Sequence, residues 1–316
     1  MRIKLAIVFL ATVAFLTIRP VRAAEAVFEE GIEYANPDEQ HLKLNLAHPK
    51  DIKEGERLPA VVCIHGGGFR AGDRKSYDGL CKRLAEQGYV AVTVTYRLAP
   101  KYPFPAAVYD VKEAVRWLRA NAPQYHVDPD RIAALGGSAG GHLALFLGVT
   151  GDVKQFDPPA EEALKGAAGS PNTQAVSTRV QCVVSYYGPS DFTKSYGKSV
   201  DAAEVLPLFL GGDLDHERHR HILASPLNWV TPEAPPTLLL QGTEDKYVNH
   251  EQAVWMYDRL KATDVEADLI SLEGAGHGFK GDDAKKADAA AIDFLDKHLK
   301  PGSAPSTQPT AADGGK

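Results

Sequence analysis

Cysteine is scarce in this chain. Three stand among 316 residues, Cys63 and Cys182 inside apolar runs and Cys81 in a stretch with helical spacing. An odd number without metal-type spacing argues against a disulfide-stapled scaffold and a cysteine-built metal centre, so all three are expected as small core hydrophobes. Positive charge is short as well. The formal net charge is −6, and without Arg2, Lys4, Arg19 and Arg22 the remaining 31 basic side chains face 41 acidic ones, a balance of −10. Such a surface is a poor partner for nucleic acid. Long apolar runs are also missing. The run Leu5 to Ile18 has fourteen residues, fewer than the ~20 that span a bilayer. No segment repeats.

What is present begins with that run. Arg2 and Lys4 precede it and the small residues of Val21-Arg22-Ala23 follow, the pattern of a secretory signal at 1–23. The mature protein is then expected to start near Ala24, in the periplasm or outside. No cysteine follows the cut to carry a lipid, so no stable membrane anchor is expected. The remaining chain, 44% hydrophobic and 24% charged overall, is long enough for one large core, assigned to residues 24–300. Pro301 to Lys316, rich in Pro, Ser, Ala, Gly and Thr, reads as a disordered tail.

His41 to Leu46 alternates strictly, as a half-exposed antiparallel strand paired with Phe28 to Tyr34 does. Then come short, continuously apolar segments at Pro59–Ile64, Val90–Val94, Ile132–Leu135, Val180–Val184 and Pro236–Leu240. Strands buried on both faces of a parallel sheet look like this. Helical periodicity separates them, as in Ala106–Ala120, where Val108, Val111, Val115 and Leu118 share one face, and in Glu251–Leu260. The class is α/β, with a mostly parallel central sheet, an N-terminal antiparallel pair and helices on both faces. Two long irregular stretches, Gly151–Arg179 and Thr193–Thr231, are expected to roof or flank a pocket.

Gly136-Gly137-Ser138-Ala139-Gly140 stands between an apolar strand and the helical Leu143–Leu147. A strand, tight turn and helix with small residues around a serine is the setting of a nucleophile elbow, which leaves the hydroxyl exposed at the sheet's edge. His65-Gly66-Gly67-Gly68 follows another strand. N–H groups of Gly67 or Gly68, with that of Ala139, are candidates to hold an oxyanion, helped by the dipole of the helix after Ser138. A serine nucleophile needs a base, and His277 lies in the glycine-rich loop Gly274–Phe279 between strand-like Glu266–Leu272 and the helical Ala284–Leu299. The base needs an orienting carboxylate. Asp245, after the strand Pro236–Gln241, is the first choice, with Glu244 and Asp191 as alternatives.

Other residues have plainer readings. His65 is expected to fix its loop, and His216, His219 and His221 to lie on a solvated face, their spacing unlike that of a metal site. Asp110 reads as a charge at a helix N-terminus. Phe69 and Tyr187 flank the catalytic loops and are candidates to line an acyl or aryl pocket.

HGGGFRAGD at 65–73, YRLAP at 96–100, GGSAGGH at 136–142, YYGPSDF at 186–192, GTEDKYV at 242–248 and GAGHGF at 274–279 occur in this order. Together, over about residues 27–299, they resemble the hormone-sensitive-lipase-like and bacterial acetyl-xylan or feruloyl esterase-like branch of the α/β-hydrolases. The resemblance implies an α/β-hydrolase fold and ester hydrolysis through an acyl-enzyme on Ser138, with no cofactor or metal. The implied substrate is a small-molecule or polysaccharide ester. Departures narrow it: Gly137 replaces the usual Asp before the nucleophile, the acid loop reads GTEDKYV, and the N-terminal segment is too short for a helical cap. These features resemble secreted esterases of carbohydrate degradation. Two rivals remain. The same triad cleaves amides, so a serine peptidase or amidase is one, although such relatives carry a large gating domain. A non-catalytic ligand-binding protein on the same fold is the other.

Overall fold

A computed structural model describes residues 25–151, 153–159 and 176–300. The expected leader, the tail, and positions 152 and 160–175 lie outside the described residues. The strands are β1 (Ala26–Ala35), β2 (Leu42–Pro49), β3 (Leu58–Ile64), β4 (Val90–Val94), β5 (Val127–Gly137), β6 (Cys182–Tyr186), β7 (Thr237–Gly242) and β8 (Ala267–Leu272). They form one sheet in the order β1-β2-β4-β3-β5-β6-β7-β8. β2 runs antiparallel to β1 and β4, and all other neighbours are parallel.

Among the described residues the helices are α1 (Asp78–Glu86), α2 (Ala106–Ala120), α3 (Ala139–Thr150), α4 (Ala202–Leu210), α5 (Arg218–Leu223), α6 (Glu251–Lys261) and α7 (Gly281–Leu299). Alternate strand residues serve the two faces. Ala60, Val62 and Ile64 of β3 pack in one cluster with α2, α3 and α6, while Val61 and Cys63 pack in another with α1 and α7. Burial on both sides explains why β3 is apolar throughout. Each fully buried Val, Leu or Ile contributes roughly 1.5–3 kcal/mol. The three cysteines are free and buried, as core residues.

Two expectations need correction. The sixth strand starts two residues later than the apolar run Val180–Val184, because the side chain of Gln181 accepts from the Ile132 N–H at 2.7 Å and ladder pairing begins at Cys182. The stretch Thr193–Thr231 is not irregular but contains α4 and α5. Ala202, Val205, Leu206, Phe209 and Leu210 bury one face of α4 at helical spacing; Pro207 in its middle masks the pattern in the sequence.

The parallel register aligns Ile64 with Gly136, Gly137 with Tyr186, and Gly242 with Leu272. The loops after β3, β5, β6, β7 and β8 therefore leave one edge together, where open α/β sheets bind ligands.

Candidate active site

Ser138 is the single residue between β5 and α3, with φ 56° and ψ −122°. A side chain at positive φ is strained, and two backbone bonds hold it: its N–H donates to the Tyr186 carbonyl at 2.9 Å, and its carbonyl accepts from His142 N–H at 3.0 Å. The flanking glycines are packing requirements. A Cβ on Gly136 would collide with the Gly140 carbonyl, and one on Gly140 with the Ile64 carbonyl. A Cβ on Gly137 would lie 2.8 Å from the Tyr77 hydroxyl oxygen, so two tyrosines, 77 and 187, occupy the space an aspartate would need.

His277 follows β8 in the turn Gly274–Gly278 and reaches back over the elbow. Its Nε2 lies 2.9 Å from Ser138 Oγ and its Nδ1 2.7 Å from Asp245 Oδ2. With Nδ1–H donated to the carboxylate, Nε2 is left to accept the serine proton. The Asp245 side chain is fully buried, whereas that of His277 is 22% exposed. The carboxylate is well satisfied: Oδ1 accepts from the N–H groups of Tyr247 and Val248, both at 2.9 Å, and Oδ2 also accepts from Gln241 Nε2 at 3.1 Å. Neither alternative competes. Glu244 is exposed, and the Asp191 carboxylate accepts from Thr193 and pairs with Lys194.

Ser138 and His277 open onto a cavity of about 410 Å³. Gly67, Gly68 and Ala139 lie beside Ser138 on its lining. Ala139 starts α3, where first-turn N–H groups have no intrahelical acceptor. Gly67 has φ +117°, and a Cβ there would run into the Ala71 carbonyl, so only glycine fits this bend. Phe69 lines the cavity, its ring stacked on Phe209 with centroids 3.8 Å apart. Tyr187 is instead packed 4.7 Å from the His277 ring and edge-on to Phe279, outside the cavity lining. Burial holds its hydroxyl pKa above the ordinary tyrosine value.

His65 has the loop-fixing position. Its ring stacks on Tyr96 at 4.4 Å, Nδ1 bonds the Gly66 carbonyl at 2.7 Å, and burial lowers its pKa. Asp110 is not a helix-terminal charge: it is 2% exposed and pairs with buried Arg97 at 2.8 Å, which fixes α2 to the segment after β4. Of the three clustered histidines, His216 and His219 are exposed but His221 is buried, bonding the Tyr196 hydroxyl at 2.9 Å, because α5 turns it inward. Among the described residues no His, Cys, Asp and Glu group is placed to hold a metal, and no helix is long and apolar enough to cross a membrane.

The sequence profile of the BD-FAE family matches residues 44–260. The chain belongs to the BD-FAE family. Esterase LipC of Mycobacterium tuberculosis is 35% identical to this BD-FAE chain over 227 residues, 70% of the chain and 53% of that protein. The probable carboxylic ester hydrolase LipM of the same organism is 34% identical over 225 residues, 69% and 48%. The BD-FAE chain thus spans about half the length of the curated relatives it matches. A truncated carbohydrate esterase from gut microbiota has a TM-score of 0.74 at 27% identity, covering 89% of this chain and 99% of that one. Est2, a thermophilic esterase from Thermogutta terrifontis, gives 0.70 at 27%, covering 90% and 96%. The fold is the α/β-hydrolase fold, and the motifs' resemblance to its hormone-sensitive-lipase-like serine esterases stands on these matches.

In this BD-FAE chain the stretch Thr193–Thr231 does flank the cavity, through Ser195, Ser199, Ala202, Val205 and Leu206; sequence reasoning named none of these side chains singly, nor Phe192 and Tyr247 on the same lining. The spacing of Val205, Leu206, Phe209 and Leu210 was the available signal for the helical part.

Proposed function

We propose that the protein is a serine carboxylic-ester hydrolase, working by the Ser138, His277, Asp245 relay. The observation that carries this is the unbroken line of hydrogen bonds from Ser138 Oγ on the cavity lining through His277 to buried Asp245. Ser138 Oγ attacks the ester carbonyl carbon while Nε2 takes its proton. The tetrahedral oxyanion is held by N–H groups of Gly67, Gly68 and Ala139, at a few kcal/mol each. When it collapses, His277 returns the proton to the leaving alcohol. Water, deprotonated by the same nitrogen, then releases the acid from Ser138. Asp245 keeps the imidazole in the productive tautomer and stabilises the imidazolium.

Short acyl or aryl esters suit a cavity of about 410 Å³ with Phe69 and Phe192 in its wall. Acetyl or feruloyl groups on plant polysaccharide are the reading that the motif departures and the carbohydrate esterase neighbour support. Export to the periplasm or beyond, with a leader at 1–23, a catalytic domain at 24–300 and a tail at 301–316, rests on Arg2 and Lys4 before the apolar run and on the tail's composition. The test is acetate release from acetylated xylan, alongside p-nitrophenyl acetate hydrolysis and labelling by a serine-reactive phosphonate, for the wild type and Ser138→Ala. Loss of all three in the variant, with kcat on the small ester down by roughly 10⁴-fold or more, is expected. Hydrolysis of the small ester without acetate from xylan would remove the xylan assignment, and an unlabelled, inactive wild type would remove the esterase.

A further inference from the structure

We propose, on the basis of the esterase reading above, that Tyr247 is the residue that selects the alcohol half of the ester. With Val200 it forms a ledge for alcohols that present a flat apolar ring face, a pyranose or an aryl group. The chemistry fixes which way the ester lies. The leaving oxygen must come within hydrogen-bond reach of His277 Nε2 to receive its proton, so the alcohol carbon skeleton passes over the histidine side of the cavity. The carbonyl oxygen turns to Gly67, Gly68 and Ala139, which sends the acyl chain toward Phe69, Phe192, Val205 and Leu206.

Two aromatic rings flank His277. Tyr187 is packed behind it against Phe279, away from the cavity lining. Tyr247 lies 5.3 Å from the His277 ring, lines the cavity, and is 49% exposed. Val200, 63% exposed, donates its N–H to the Lys246 carbonyl at 2.9 Å, which sets it beside the Tyr247 loop. Two of the three exposed large hydrophobic residues among the described ones thus stand on adjoining segments beside one cavity, Tyr247 on its lining and Val200 between the lining residues Ser199 and Asp201. The bond from Tyr247 to Asp245 comes from its backbone N–H, which almost any residue supplies, so replacing the ring leaves that bond in place. An aromatic face left open beside the leaving-group position is suited to stack a ring.

The test compares kcat/KM of the wild type, Tyr247→Ala and Tyr247→Phe on three acetates that share an acyl group: ethyl acetate, phenyl acetate and a monoacetylated methyl xyloside. Leaving-group reactivity cancels when each variant is divided by wild type on the same ester. Tyr247→Ala is expected to lose about ten-fold more on the ring-bearing esters than on ethyl acetate, chiefly in KM, while Tyr247→Phe keeps the wild-type ratios. A loss confined to phenyl acetate assigns the ledge to aryl alcohols, and one confined to the xyloside assigns it to sugars. An equal loss on all three esters, or none, overturns the ledge. If wild-type Ser138 is nonetheless labelled by a phosphonate, the esterase reading survives that result; a wild type that neither labels nor hydrolyses removes both.

Discussion

The cavity floor, where Ser138 and His277 line it and Asp245 lies buried behind them beyond β5, β8 and β7, is built of tight turns, whereas the wall comes from Phe192 and one side of α4. On the floor each group is fixed by several directed bonds: Asp245 alone accepts from His277, Tyr247, Val248 and Gln241. The wall is held by contact. Phe69, His142, Phe192 and Phe209 pack ring against ring, and the α4 side chains Val205 and Leu206 lie over them as part of the same core. Directed bonds fix distances to fractions of an ångström, which proton transfer needs; apolar packing tolerates repacking, which permits a change of substrate. The floor is therefore expected to answer substitution with loss of rate and the wall with change of preference.

Asp245→Asn should break the floor most sharply short of removing the nucleophile. The amide keeps the shape, but when its N–H₂ faces Nδ1 it drives the imidazole proton onto Nε2, where the serine proton has to go. A fall in kcat of roughly 10³–10⁴-fold on p-nitrophenyl acetate is expected, with the fold intact by circular dichroism. A fall of ten-fold or less would take Asp245 out of the relay.

His142 joins the two regions, since it stands on α3 and its ring packs between Phe69 and Phe192. Nε2 bonds the Ala224 carbonyl at 2.7 Å, and burial depresses its pKa to about 4. An unfolded chain titrates this group near 6.5. Between those values the unfolded state binds the extra proton, so the stability due to the neutral ring is complete above about pH 6.5 and is lost as pH falls toward 4. The total is about 3 kcal/mol. His142→Gln keeps a donor for Ala224 and removes the titration, so its Tm should fall less steeply than that of the wild type from pH 7 to pH 4.5. Parallel slopes would show that the buried imidazole carries no such penalty.

The same division governs what could be read in advance. The elbow, the glycine loop after β3 and the histidine loop are legible because a bend at positive φ, or a backbone passing within contact distance, admits few residues, and so Gly136 and Gly140 flank Ser138 and Gly67 marks the bend after β3. Buried parallel strands are legible because both faces are covered. The wall is legible only as a stretch, Thr193–Thr231, and not residue by residue, because an apolar residue says only that it is buried and not against what. Val205 and Phe209 read like any core positions, and Pro207 hides the helix they share. Asp110 and His221 were misplaced for a related reason: each is polar, yet each is matched to one distant partner, Arg97 and Tyr196, that only the fold brings near.

Val205 offers the mildest and most selective test of the contrast. Its Cγ1 would lie 3.4 Å from a Cβ on Gly68, so the wall reaches the loop after β3 at this side chain, and on the proposed mechanism it bounds the space for the acyl group. Val205→Ala removes two methyl groups there and leaves Ser138, His277 and Asp245 and their bonds in place. Each methylene newly buried contributes ~0.8 kcal/mol, and butanoate has two more than acetate. The ratio of kcat/KM for p-nitrophenyl butanoate over acetate should therefore rise about ten-fold. An unchanged ratio would mean that the acyl chain runs elsewhere than under α4, and a fall in both rates together would mean that wall and floor are mechanically one unit.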